Sequence, residues 1–128
     1  MISKLRQRVA HEESAFTLIE LLVVIIILGI LMAIAIPSYL GFKDRANQRA
    51  ASADVRAGVP SAEAFYADNN TYVGMTVANL TATYDTGLKI DNVADLSATG
   101  YCLDKTVGGK MSHFSGPGGS VVEGSLCP

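Results

Sequence analysis

From Leu21 to Ile36, sixteen consecutive residues carry no polar side chain. Extending the stretch to Phe16–Leu40 adds only Thr17, Glu20, Ser38 and Tyr39 as polar groups, and Glu20 is its one charge. As a helix rising ~1.5 Å per residue it is roughly 37 Å long, against a hydrocarbon core of ~30 Å. Such a helix crosses a bilayer with some tilt, or is sheathed by other apolar helices. It exceeds the apolar core of about 7 to 15 residues of a secretory signal peptide, and no convincing Ala-x-Ala cleavage site accompanies it. A plain anchor explains the length but not Glu20. A carboxylate there costs about 2.5 kcal/mol or more near mid-membrane and less near an end, so an intramembrane acid marks a function.

The preceding residues, 1–15, are polar and carry Lys4, Arg6 and Arg8, offset by Glu12 and Glu13. The junction reads Ala15-Phe16-Thr17-Leu18-Ile19-Glu20-Leu21-Leu22-Val23-Val24. A basic polar leader, Phe16, an acid four residues on and an unbroken apolar run together resemble the processing site of type IV pilins and of the pseudopilins of type II secretion. The resemblance continues through Gly29 and Ile36-Pro37-Ser38-Tyr39; it is close over residues 1–45 and is one of layout beyond. It implies a leader at 1–15, cleavage by a prepilin peptidase between Ala15 and Phe16, and N-methylation of Phe16. Of the 128 residues, 113 then remain. The family usually has Gly before the cut; Ala15, with the next smallest side chain, stands there here.

The resemblance also implies an assembly role for Glu20. Cleavage leaves an amine on Phe16, at a helix N-terminus where a cation is disfavoured. A carboxylate four residues away, or on a neighbouring subunit, neutralises it. A subunit docked out of register leaves both charges unpaired in apolar surroundings, at several kcal/mol. In a filament the apolar helices bury surface at ~25 cal/mol per Å², and Gly29, Met32, Ala33 and Ala35 let neighbours approach closely. Pro37 lacks the amide that would bond Ala33, which predicts a kink, and Gly29 weakens the same turn. In the family the matching stretch unwinds inside filaments, so Gly29–Pro37 is the expected melting segment. The basic residues Lys4, Arg6 and Arg8 before the helix are balanced by Lys43, Arg45 and Arg49 after it, so charge alone does not orient it. The resemblance places the leader in the cytoplasm and the C-terminal part outside.

The expected fold is α+β: a long N-terminal helix, with a protruding apolar half at 16–40 and an amphipathic half at 41–67, then a variable loop region at 68–97 and a small sheet at 98–128. Phe42, Ala46, Ala50, Ala53, Ala57 and Ala64 recur at near-helical spacing and predict a thin apolar stripe against the sheet. Gly58 and Pro60 interrupt it and predict a second bend. The cluster Asp68-Asn69-Asn70 ends the helix. Tyr101–Val107 and Lys110–Phe114 flank Gly108-Gly109, a two-residue hairpin turn. A turn at Gly116–Gly119 leads to a third strand, Ser120–Glu123. The prediction is a three-stranded antiparallel sheet.

Cys102 and Cys127 are the only cysteines. In a small exported domain two cysteines usually pair, and the family often carries a C-terminal disulfide loop, so a Cys102–Cys127 bond is expected. No enzymatic activity or cofactor is expected. A bonded Cys102 is no nucleophile for Asp104 and His113 to assist, two histidines make no usual zinc site, and Gly109-Lys110-Met111 is not a phosphate loop. The net charge of −2 provides no bulk field for nucleic acid. Asp85, Asp91 and Asp95 are weak calcium candidates, of interest because major pseudopilins carry such a site. Asn69-Asn70-Thr71 and Asn79-Leu80-Thr81 match the glycosylation pattern. The resemblance implies a type IV pilin, with a pseudopilin or a non-polymerising anchored domain as alternatives. Its partners would be copies of itself in a helical filament, the peptidase, the inner-membrane assembly platform, and the membrane before assembly.

Overall fold

The computed structural model describes residues 16–128; residues 1–15, the expected leader ending at Ala15, lie outside the described residues. In chain order the elements are α1 (Leu18–Asn69), α2 (Val77–Thr83), β1 (Asn92–Ala94), β2 (Tyr101–Val107), β3 (Lys110–Gly116) and β4 (Val121–Glu123). The chain divides into two compact units after Gly41, and α1 contributes to both.

In the first unit every side chain from Phe16 to Leu40 is exposed. The helix is long and apolar enough to cross a membrane. It starts because Thr17 and Glu20 form a reciprocal cap. The Glu20 amide donates to Thr17 Oγ1 at 3.3 Å, and the Thr17 amide donates to Glu20 Oε2 at 3.2 Å. This Thr-x-x-Glu box satisfies two of the four amides that a helix start leaves without partners. Helix continues through Gly29 and Pro37 without interruption. Proline removes one hydrogen bond, and the flanking turns carry the helix past it.

The second unit, Phe42–Pro128, holds the core. Here α1 buries Ala51, Ser52, Val55, Gly58, Ser61, Ala62 and Phe65, a face with spacings of three and four. This corrects the expected stripe: Phe42, Ala46, Ala53 and Ala57 are exposed, and Ala50 and Ala64 only half-buried. Alanine is equally at ease on either face, so its periodicity carried little information. The true face was disguised by two serines and a glycine. Nor is the helix interrupted at Gly58 or Pro60. Gly58 serves packing: a Cβ there would lie 2.9 Å from Ile90 Cγ2 and 3.2 Å from Leu103 Cδ1.

The sheet has four strands, not three, in the order β1-β2-β3-β4, all antiparallel. The added strand, β1, is short and lies with α2 in the region expected to be loop. Both are marginal elements held by tertiary contacts: β1 sets Val93 opposite Leu103, and α2 is capped by Thr76 and Asn79 and anchored by the fully buried Leu80. The β2–β3 hairpin matches expectation. Gly108 and Gly109 have φ of 54° and 79°, the conformation of a two-residue turn that suits the strand twist. The peptide between Gly116 and Pro117 is cis.

Side chains alternate across the sheet. Tyr101 and Leu103 of β2 and Phe114 of β3 join Val55, Ala62, Phe65, Tyr72, Met75, Leu80 and Ile90 in one core. Cys102 and Asp104 alternate with them on the other face of β2, yet are buried as well. What covers them is the C-terminal segment. Cys127 is bonded to Cys102, with Cα atoms 5.9 Å apart, and its amide donates to Asp104 Oδ2 at 3.3 Å. With the cysteines 25 positions apart in sequence, closure removes about 3.5 kcal/mol of unfolded-chain entropy in the loop model.

Candidate functional site

The candidate residues fall in two regions, one in each unit. The first is the helix start. Phe16 and Thr17 precede α1, and Glu20 sits in its first turn. The sequence reading paired Glu20 with the Phe16 amine; the geometry adds the Thr17 cap. The Thr-x-x-Glu spacing of Thr17-Leu18-Ile19-Glu20 is the sequence signal for that box. Of the two carboxylate oxygens, Oε2 takes the Thr17 amide. The cap therefore holds the Glu20 side chain beside the start of α1.

The second region is the head built on α1. A directed chain of hydrogen bonds joins α1 to the hairpin. Gln48 Nε2 donates to Ser112 Oγ at 2.8 Å and to the Met111 carbonyl at 2.9 Å. Ser52 Oγ donates to Glu123 Oε1 at 2.9 Å and lies 3.0 Å from Ser112 Oγ. Because the Ser52 proton goes to the carboxylate, Ser112 donates to Ser52. Ser52 and Ser112 are buried, so the network fixes the register of α1 on β3 and β4. A lost partner here leaves a buried polar group at about 1–3 kcal/mol. Sequence reading missed it because polar residues on an apolar face look like noise until their partners are known.

Glu63 makes a second link. Its two oxygens accept hydrogen bonds from the phenols of Tyr72 and Tyr101, each at 3.0 Å. The rings of Tyr72 and Tyr101 have centroids 4.6 Å apart, and Tyr66 stacks on Tyr72 at 4.7 Å. Burial, reinforced by the bonds to Glu63, pushes the Tyr72 phenol up to about 12 and the Tyr101 phenol further. On the far side of the sheet the C-terminal segment is held by His113 as well as by the disulfide. His113 Nδ1 lies 3.1 Å from the Ser125 carbonyl. The Ser125 hydroxyl oxygen lies 3.2 Å from the same nitrogen.

The remaining candidates are not brought together. Asp85 accepts from the Gly87 amide at 2.9 Å. Asp91 takes Lys105 Nζ at 2.7 Å and the Thr106 amide at 2.9 Å. Desolvation raises the Asp91 carboxyl, but those bonds and the Lys105 charge outweigh it and leave it below the usual range. Asp95 is exposed in a turn with φ of 50°. Among the described residues no three His, Cys, Asp or Glu side chains gather as metal ligands would. Cys102 is bonded to Cys127, which withdraws it from the Asp104 and His113 grouping. Asn79 of the second glycosylation tripeptide is spent on the α2 cap, its Oδ1 accepting the Thr76 amide at 2.9 Å. Asn69 donates to the Phe65 carbonyl at 2.9 Å.

Comparison with known proteins places these features in a lineage. Residues 11–36 match the prokaryotic N-terminal methylation motif. The chain is 37% identical over 94 residues to a type IV wide pilus major component of Thermus thermophilus, covering 69% of each chain. It is 42% identical over 62 residues to the type II secretion system core protein G of Aeromonas hydrophila, covering 48% of this chain and 43% of that one. It is 40% identical over 57 residues to the type IV major pilin protein of Myxococcus xanthus, covering 44% of this chain and 26% of that one. The chain thus spans less than half the length of the latter two relatives.

Proposed function

The chain belongs to the type IV pilin and pseudopilin family, and we propose that it is the repeating subunit of a type IV pilus. The observation that carries this is the exposed apolar helix from Phe16 to Leu40, which needs lipid or like helices around it, joined to a head that needs neither. In this reading the precursor sits in the membrane with its head outside. A prepilin peptidase cuts between Ala15 and Phe16, and the new amine is methylated. The assembly platform then moves the helix from lipid into a bundle of its own kind. Removal from lipid costs the helix little, because the bundle is equally apolar, and packing of Gly29, Ala33 and Ala35 gives close helix contact.

Glu20 sets the register. Its cap leaves Oε1 for the Phe16 amine of a neighbouring subunit, and a mis-stepped subunit strands both charges. Gly29–Pro37 is the stretch that unwinds in the polymer, since Pro37 already lacks one backbone bond. The disulfide-closed C-terminal segment lies on the outer side of the sheet and is exposed at Gly124–Leu126. It is a natural place for surface contact.

A pseudopilin of type II secretion is the second reading, favoured by the match to protein G over 62 residues. The alignment with the wide pilus component runs over 94 residues, which supports the pilus reading. Intact-mass spectrometry of the protein from its own cells, with and without reduction, tests the processing. A chain starting at methylated Phe16 and gaining two hydrogens on reduction is expected; a chain still starting at Met1 would sink the polymer. Deleting the gene separates the two filaments. Loss of surface fibres supports the pilus, whereas loss of exported proteins with fibres intact supports the pseudopilus.

A further inference from the structure

The exposed face of α1 in the head is electrically two-sided. At ~100° per residue, Arg45, Arg49 and Arg56 fall within roughly 40° of one another along one edge of that face. All three are exposed, and none forms an ion pair with another described residue. Asp54 and Asp68 lie along the opposite edge. Asp85 joins them from the loop after α2: an open groove is lined by Asp54, Ala57, Asp85, Gly87, Leu88 and Lys89. A second, beside it, is lined by Ala57, Pro60, Ser61, Ala64, Tyr84 and Asp85. The Tyr84 hydroxyl donates to Asp68 Oδ2 at 2.7 Å, which ties the third acid to the same rim. Each edge also carries a minority charge. Glu123 reaches the basic edge through Ser52, and Lys89 stands in the acidic rim. Lys43 lies three turns before Asp54 on the acidic side. The basic edge keeps its excess of positive charge and the acidic rim its excess of negative charge. Between them runs a floor of small side chains, Ala46, Ala53, Ala57, Pro60 and Ala64.

We propose that this face is a head-to-tail docking surface for a second copy of the chain, the Arg45–Arg49–Arg56 edge of one head meeting the Asp54–Asp68–Asp85 rim of the next. The inference rests on the filament reading and adds to it which head surfaces meet. The argument is complementarity. Two copies that follow one another set opposite edges together. A twofold axis lying along α1 also sets opposite edges together, but that pair uses both edges of both copies, closes on itself and admits no third copy. A contact between different patches on the two partners propagates into open helical assemblies. The alanine floor lets the facing head approach without long side chains to displace. The minority charges add register, because a shifted neighbour brings Lys89 against arginine or Glu123 against aspartate.

The test is charge reversal with restoration in the full-length chain expressed in its own cells, with filaments sheared and weighed. Arg49→Glu with Arg56→Glu should cut filament yield at least tenfold. Asp54→Arg with Asp85→Arg should do the same, and all four together should restore most of the yield. Unchanged melting of each purified variant shows that the head is folded. If a reversal unfolds it, Arg49→Gln with Arg56→Gln replaces it, together with raised salt on wild-type filaments, which should loosen them. Wild-type yield from both reversals would overturn the docking surface and leave the filament reading standing. Wild-type protein that stays monomeric in the membrane when fibres are otherwise assembled would overturn both.

Discussion

The stretch from Phe16 to Gly41 and the head from Phe42 onward meet opposite standards. In the first, secondary structure is complete and tertiary structure is absent. The backbone is bonded within the helix and its start is capped by Thr17 and Glu20, yet Leu22, Ile27 and Ile36 each leave half their surface exposed. In the head, Val55, Ala62, Leu80 and Leu103 are wholly buried, and no buried side-chain polar atom among the described residues lacks a partner. One part is a finished fold; the other is an element awaiting its solvent. Apolar surface at ~25 cal/mol per Å² makes the wait costly in water and nearly free in lipid or a helix bundle. In the filament reading, polymerisation needs no refolding of the head, and the change falls on the helix, in its surroundings and at Gly29–Pro37.

The strongest way to break this contrast is to separate the parts. A chain beginning at Phe42 should fold, melt cooperatively and stay monomeric in water, losing membrane partition and filament incorporation altogether. Calorimetry and sedimentation check this. A head that fails to melt cooperatively, or that still joins filaments, would end the division of labour. Next in size is the disulfide. Cys102→Ser with Cys127→Ser should cost the head about 3.5 kcal/mol by loop entropy, read as denaturation midpoint. The same change should leave partition of the apolar helix into vesicles unaltered.

The two regions were also unequally legible. The apolar helix announces itself through composition, because a membrane-length run has few other uses. The hairpin was readable from Gly108-Gly109, since a two-residue turn with positive φ at both positions calls for such residues. The buried face of α1 was misread. Ser52 and Ser61 line it, Ser52 with partners that lie about sixty residues away in sequence, and no local pattern reveals such partners. β1 escaped notice for the same reason: three residues have no periodicity to read, and Val93 becomes a strand residue only by lying opposite Leu103. At the candidate site, the cap between Thr17 and Glu20 was legible in Thr17-Leu18-Ile19-Glu20 but went unread.

Glycines sharpen the comparison at a smaller scale. Gly58 has Ile90 and Leu103 at its α-carbon, whereas Gly29 has nothing within 4 Å. Gly58→Val should therefore overpack the core and cost about 1–3 kcal/mol, seen as a lower head melting temperature. Gly29→Ala should leave that temperature unchanged. Its expected effect is on the polymer: alanine favours helix over glycine by about 1 kcal/mol, which resists unwinding of Gly29–Pro37 and should slow assembly. Equal effects of the two substitutions on the head would show that the regions are not independent.

Alkaline pH offers the gentlest separation. Tyr72 and Tyr101 keep their protons in the fold beyond the ordinary phenol range, because they are buried and donate to Glu63. The native phenol is harder to ionise than the unfolded one, so the stability it contributes is whole below pH ~10. It is lost as pH rises from there toward the native value, since the unfolded chain releases its protons first. By pH 11 the loss is on the order of 1 kcal/mol per phenol. Of the tyrosines, Tyr39 alone lies in the apolar helix, where it is exposed. A titration in detergent, following phenolate absorbance and helical circular dichroism together, should show the head melting while helix signal from the apolar region persists. Ionisation of all five tyrosines at the ordinary pH with no change in head stability would remove Glu63 and its two phenols from the forces that hold the head together.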